Sequence, residues 1–154
     1  MNSAFLVRGS STACQSSSGA FTIVVGQRGP EGRPGTDTGG GAQTIVRAAG
    51  ETISALRVVF ESQGSVKLTN PATESVYQAV GLSKTGGSLG SQITIQTQGP
   101  VEDSSWSWTE GHVWCAQNGT LTQIPPNDGW DFIIGFATSA TRLYIDLNEP
   151  VKLA

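Results

Sequence analysis

The sequence predicts an all-β protein: a small antiparallel β-barrel or sandwich, preceded by a strand-rich N-terminal anchor and an extended Gly/Pro-rich neck. Short apolar runs alternate with turn residues at close intervals, which is typical of such folds. No window of a dozen residues keeps a helical period. The composition agrees, because 20 of the 154 residues are glycine and only 14% are charged, against roughly 25% in an average soluble protein.

Residues 1–25 form the first predicted part, an attachment segment. It contains two apolar runs, Phe5-Leu6-Val7 and Phe21-Thr-Ile23-Val-Val25, separated by a serine-rich stretch. They predict a hairpin, or two strands that pair with another element. Because two strands cannot cover their own apolar face, we expect this segment to dock on a neighbour.

Residues 26–41 form the second part, in which glycine occupies every third position at Gly26, Gly29, Gly32 and Gly35. Pro30 stands in an X slot and Pro34 in a Y slot. This is the spacing of a collagen triple helix, in which only glycine fits at the crowded axis. So short a run would need a trimeric neighbour to hold three chains together. The alternative is a plain Gly/Pro linker whose triplet phase is accidental.

Residues 42–154 form the third part, a β-domain. Residues Leu143, Ile145 and Leu147 alternate with polar neighbours, which predicts one buried and one wet face. The pair Asn118-Gly119, flanked by apolar runs, is the strongest hairpin signal. The candidate strands are 43–48, 53–61, 65–69, 76–82, 91–98, 112–117, 120–124, 131–138 and 141–147.

Charge and hydropathy argue against several classes of partner. The net charge is −3, and the nine Lys and Arg residues are scattered, so no basic patch for nucleic acid is expected. No apolar run is long enough to span a membrane, and the first residues lack a signal-peptide pattern. We therefore expect a soluble protein without membrane insertion. Cys14 and Cys115 are interpreted as free thiols.

Groups for catalysis are sparse. His112 is the only histidine, and its three-residue spacing from Cys115 would put the two on opposite faces of a strand. Every sharp nucleotide, hydrolase and metalloprotease motif is missing from the sequence. We expect no enzyme activity, no cofactor and no metal. A remaining alternative is a small glycan-processing enzyme that uses Glu102, Asp103 or Asp128.

The tryptophans are more informative. Trp106 and Trp108 share strand parity, so a strand there would present both indoles on one face. Together with Trp114 and Trp130 they are candidates for a subunit interface or a glycan contact. Ordinary core packing is the alternative.

Five segments of the β-domain resemble a small domain common in tailed-bacteriophage virion proteins, including capsid cement or decoration proteins. The resemblance extends over residues 55–154. It is carried by 78–82 (QAVGL), 93–101 (TIQ closed by GPV), 106–114 (WSWTEGHVW), 118–126 (NGTLTQIPP) and 134–138 (IGFAT).

The resemblance implies a non-enzymatic virion protein, assembled in the bacterial cytoplasm. We expect a homotrimeric capsid decoration protein that docks on the major capsid protein through the apolar residues of its N-terminal segment. The alternative is a tail-tip, baseplate or tail-fibre protein that contacts a host-surface glycan through its C-terminal domain. Short Gly-x-y runs are frequent in phage fibres, which favours this second location.

Overall fold

The computed structural model describes residues 12–15, 21–24 and 41–154. These fall into two units, one within 1–38 and one within 39–154. The prediction of an all-β chain is confirmed, since the described residues form thirteen strands and two short 3₁₀ turns. No helix among these residues has the length and apolar character needed to cross a membrane.

The N-terminal unit contains an antiparallel hairpin of β1 (Thr12–Gln15) and β2 (Phe21–Val24). β2 lies within the second predicted run, and its partner among the described residues is β1, in the serine-rich stretch. Residues 5–7, Val25 and nearly all of the predicted neck at 26–41 lie outside the described residues, so the triplet interpretation stays a prediction.

The larger unit begins with a closed five-stranded barrel. Its strands are β3 (Gln43–Ala49), β4 (Val58–Ser62), β5 (Ser65–Leu68), β6 (Ala79–Ser83) and the first part of β7 (Gln92–Glu102). They follow the spatial order β3-β5-β4-β6-β7, and β3 pairs with β7 to close the ring. All contacts are antiparallel except β3 with β5, which is parallel over two residue pairs. The predicted barrel is therefore present, with this one departure from an antiparallel arrangement.

Two turn features explain where the barrel strands begin and end. Gln63 and Gly64 both have positive φ, 51° and 76°, which is the two-residue turn that matches the twist of a hairpin. Leu56 also has a positive φ of 60° and breaks the predicted strand 53–61, so β4 begins only at Val58. The predicted strand 76–82 likewise opens with a 3₁₀ turn at Glu74–Gln78 before β6.

A second sheet continues from the far end of β7. Gly99–Glu102 pair with β12 (Arg142–Ile145), and β12 pairs with β11 (Ile133–Ser139). β8 (Gly111–Cys115) and β9 (Leu121–Thr122) complete this sheet, joined by the predicted hairpin turn at Asn118-Gly119. A short ladder of β10 (Trp130–Asp131) and β13 (Val151–Lys152) stands apart.

Each half of this unit has its own apolar cluster. The barrel interior is filled by small and β-branched side chains: Ala49, Ile53, Val59, Val66, Ile93 and Ile95. The second cluster lies under the second sheet and includes Leu143 and Ile145, both fully buried, as the alternation in the sequence predicts. Val58 and Leu82 belong to this second cluster although they come from barrel strands, so the two cores share a wall.

β7 changes partners at Gly99, where the backbone has φ +96°. Just before this point Gln96 is buried, and its side-chain amide donates to the carbonyl oxygens of Gln98 at 3.2 Å and Pro100 at 2.8 Å. These bonds satisfy backbone acceptors that would otherwise be left without partners at the bend. A Cβ on Gly99 would lie 2.8 Å from the Gly41 carbonyl oxygen and 2.9 Å from the Ala42 Cα.

We predict that Gly99→Ala lowers the free energy of unfolding by at least about 2–3 kcal/mol, because it adds a backbone clash to a left-handed conformation. Gly90→Ala is the matched control, since Gly90 has φ +83° with nothing within 4 Å of its Cβ position and loses only about 1 kcal/mol. Urea unfolding of both variants measures the difference. Equal losses would show that the crossover is not tightly packed.

Candidate binding face

The outer face of the second sheet carries exposed and half-buried aromatic side chains. In β8, Val113 and Cys115 are buried while His112 is exposed and Trp114 half-buried. In β12, Tyr144 is half-buried between the buried Leu143 and Ile145. The alternation of side chains along each strand therefore separates an apolar inner face from an aromatic outer face.

The strand register aligns three of these rings in one line. Phe136 lies opposite both His112 and Tyr144 as their cross-strand partner, and Tyr144 lies opposite Pro100 on β7. We call His112, Phe136 and Tyr144 the aromatic row. The His112 and Phe136 rings meet edge to face, with centroids 5.7 Å apart at 88°. Phe136, on the central strand, remains 43% exposed.

A β-bulge positions Phe136 on this face. The register between β11 and β8 shifts between Ile133 and Gly135, so Ile134 is fully buried although it shares sequence parity with Phe136. Bulges re-aim side chains in this way. Gly135 is needed beside the bulge, because a Cβ there would clash with the Tyr144 carbonyl oxygen.

A small cleft of about 160 Å³ lies beside the aromatic row. Its apolar walls come from the row itself and Ile133, and its polar groups are Asp146 and Asn148, which follow β12. The backbone N–H groups of Asp146 and Asn148 donate to the carbonyl oxygens of Ile134 and Ile133, each at 3.0 Å. The two polar residues are therefore tied to the same strand as Phe136.

Trp114 extends the row along β8. Its indole N–H donates to the Asp131 carboxylate at 2.8 Å, and its ring lies 5.8 Å from that of His112 in an edge-to-face contact. The bond to Asp131 fixes the orientation of the indole. Of the four tryptophans considered as contact candidates, Trp114 is the one that adjoins the outer face of the second sheet.

Trp106 and Trp108 are brought together, but not on a strand. They lie in the irregular segment between β7 and β8, with ring centroids 5.6 Å apart and tilted by 53°. The backbone N–H of Trp108 donates to the Ala140 carbonyl oxygen at 2.9 Å, and both rings are half-buried against the second core cluster. The condition of a strand at this place is not met, because the chain leaves β7 and turns before β8 begins.

Trp130 lies in the core. It is 8% exposed, and the Tyr77 ring packs edge-on against it at 4.8 Å. The Lys152 ammonium lies 5.7 Å from its ring centroid. Its surroundings match the alternative of ordinary core packing.

The groups considered for catalysis have separate surroundings. His112 and Cys115 are on opposite faces of β8, as their spacing predicts, and burial raises the pKa of the Cys115 thiol to about 12. A thiol in this state is a poor nucleophile at neutral pH. No group of three or more potential metal-ligating side chains occurs within 41–154 or the two N-terminal strands.

The three candidate carboxylates also differ in their partners. Glu102, at the end of β7, pairs with Arg142 at 3.5 Å. Asp103 accepts hydrogen bonds from the Ser105 hydroxyl and backbone N–H, which hold the pKa of this exposed carboxyl below its usual value. Asp128 lines a different feature, a groove of about 960 Å³ that also includes Ile124 and Pro125.

The chain matches no protein-family model, and no curated protein is significantly similar to it.

Of the aromatic row, only His112 was considered from the sequence, as a catalytic group; Phe136 and Tyr144 were not candidates for a contact surface. The polar or aromatic positions of β8 and β12 could have been found from their alternation with apolar residues. Phe136 could not, because it lies in the continuous apolar run 132–137 and its exposure depends on the bulge.

We predict that Trp108→Phe lowers the free energy of unfolding by about 1 kcal/mol less than Trp114→Phe. The buried indole N–H of Trp108 has no partner within the described residues, whereas that of Trp114 bonds to Asp131. Both changes remove a similar ring area, so the difference isolates the hydrogen bond. A larger loss for Trp108→Phe, measured by thermal or urea unfolding, would contradict this assignment.

Proposed function

We propose that the chain is a non-enzymatic structural component of a tailed-bacteriophage virion, a homotrimeric capsid decoration protein docked on the major capsid protein. The observation that supports this is the place of the phage-like segments in the fold. They coincide with β6, β7, β8, the Asn118-Gly119 hairpin and β11, which together build both halves of the larger unit. The segments that carry the resemblance are therefore strands and turns that build the fold, and none of them is a catalytic motif.

Attachment is assigned to the N-terminal unit. Its hairpin has two strands of four residues, which is too little to be stable alone in water. A capsid subunit would supply the missing contacts, by strand addition or by covering the apolar residues Phe5, Leu6, Val7, Phe21, Ile23 and Val25. If the N-terminal unit makes the attachment, the larger unit is available for contacts with other molecules.

The neck is assigned to trimerisation. With Gly26, Gly29, Gly32 and Gly35 at the axis of three chains, three weak attachments would act as one through their high effective concentration. The protein would then be found in the virion, after assembly in the host cytoplasm.

The absence of catalysis is part of the proposal. Glu102 is engaged by Arg142, Asp103 by Ser105, and Asp128 lies in a separate groove. Glycoside hydrolysis needs two carboxylates on either side of one bond. The separate surroundings of these groups support a binding role.

A second candidate is a tail-tip, baseplate or fibre protein that contacts the host surface. The aromatic row supports it, because exposed apolar side chains that share one face mark a contact site.

Copy number separates the two locations. We predict that purified particles contain this chain in fixed proportion to the major capsid protein, as quantitative mass spectrometry of whole virions would measure. A few copies per particle would overturn the decoration role and favour the tail. Complete absence from particles would overturn both.

We predict that Gly32→Ala weakens the trimer, because a Cβ at the axis disrupts a collagen-like helix. Light scattering of the full-length chain over a concentration series should show a trimer that dissociates at higher concentrations for the variant than for the wild type. Arg33→Ala, in the adjoining X slot, is the control and should leave the mass unchanged. A wild-type monomer, or equal behaviour of the two variants, would reduce the neck to a linker.

A further inference from the structure

We infer that the aromatic row and its adjoining cleft form a binding site for a single sugar ring of a glycan. The stacking surface is Phe136 with its neighbours His112 and Tyr144, and the hydrogen-bonding groups are Asp146 and Asn148. This inference rests on the second candidate function, a tail protein that contacts the host surface, because the host surface would supply the glycan. Its chemistry can be tested independently.

The stacking surface is already organised. Phe136 lies on a central strand with hydrogen-bonded neighbours on both sides, and its ring centroid lies 5.7 Å from that of His112 in an edge-to-face contact. Holding rings in place before binding avoids the entropy cost of ordering them. The C–H groups on one face of a pyranose can then pack on an exposed aromatic ring, whose face carries partial negative charge.

The polar groups suit hydroxyls. Asp146 is exposed and takes part in neither of the two ion pairs found among the described residues, so its carboxylate is available as an acceptor. Asn148 offers both a carbonyl acceptor and two N–H donors. A sugar hydroxyl can donate to the first residue and exchange hydrogen bonds with the second. Both residues are tied through their backbones to β11, which fixes their distance from Phe136.

Charge and size argue for a neutral sugar over other ligands. No lysine or arginine lines the cleft, and Arg142 pairs with Glu102, so a phosphate or sulfate group would find no permanently charged partner there. The volume of about 160 Å³ is below the roughly 300–1,000 Å³ of pockets that enclose drug-sized ligands. It therefore fits one ring of a longer chain.

A docked protein is the less suitable occupant. Protein interfaces have an apolar centre from which charged residues are depleted. Here carboxylates border the row on two sides, at Asp131 beside Trp114 and at Asp146 in the cleft. The arrangement of rings with acidic and amide groups at their edge matches a polyhydroxylated ligand better.

The test is saturation-transfer NMR on the full-length chain with four probes: the methyl glycosides of glucose, galactose, N-acetylglucosamine and rhamnose. We expect transfer to at least one probe, and binding about tenfold weaker in Phe136→Ala and in Asp146→Asn, a loss of about 1.4 kcal/mol. Tyr77→Ala is the aromatic control, since Tyr77 is 54% exposed outside the row. Asp128→Asn is the carboxylate control. Both should bind as the wild type does.

Three results would overturn the site: no transfer to any probe, undiminished binding in both test variants, or equal losses in the controls. Circular dichroism and thermal melts of each variant exclude misfolding as the cause of a loss, and the exposed Asp146 provides a variant that leaves the sheet intact. If the test variants lose binding to purified capsids but no variant binds sugar, the face is a protein contact instead. Virion copy number is independent of all these outcomes, so failure of the glycan site and failure of the virion proposal are distinguishable.

Discussion

The backbone of β7 is the constraint on which the rest of the larger unit depends. Its first part closes the barrel against β3, and its last four residues provide the edge on which β12, and through it the second sheet, is built. The change of partners requires a glycine at position 99 and the buried amide of Gln96. Two apolar clusters with a shared wall follow from this, because one continuous strand holds both sheets at a fixed distance.

Most of this architecture could be predicted from local patterns. The turn at Asn118-Gly119 was recognisable because this residue pair favours left-handed backbone, and the alternation around Leu143 and Ile145 revealed the inner face of β12. The errors share a cause. Leu56 in a left-handed conformation and the parallel contact of β5 with β3 both depend on tertiary packing, which leaves no period in the sequence.

The candidate site depends even more on tertiary packing that the sequence pattern does not reveal. Tryptophan has the largest side chain and was the candidate for a contact surface, but Trp130 is buried in the core, and Trp106 and Trp108 pack against the same apolar cluster. The rings that share an open face belong to His112, Phe136 and Tyr144, from three strands. Their alignment is a property of register, and one residue of slip would send Phe136 to the other face. Alternation along one strand can identify its solvent-exposed face, but it cannot identify which exposed residues of different strands become neighbours.

The closure of the barrel between β3 and β7 also has a consequence for how the chain is made. Ile45 finds its partner only in Ile95, after β4, β5 and β6 have been synthesised. Contacts so distant along the chain slow folding, since the entropy of closing the loop opposes each attempt. During translation β3 therefore emerges as an unpaired strand with open hydrogen-bonding edges. Its exposed polar positions, such as Gln43 and Thr44, limit association with other nascent chains until the barrel closes.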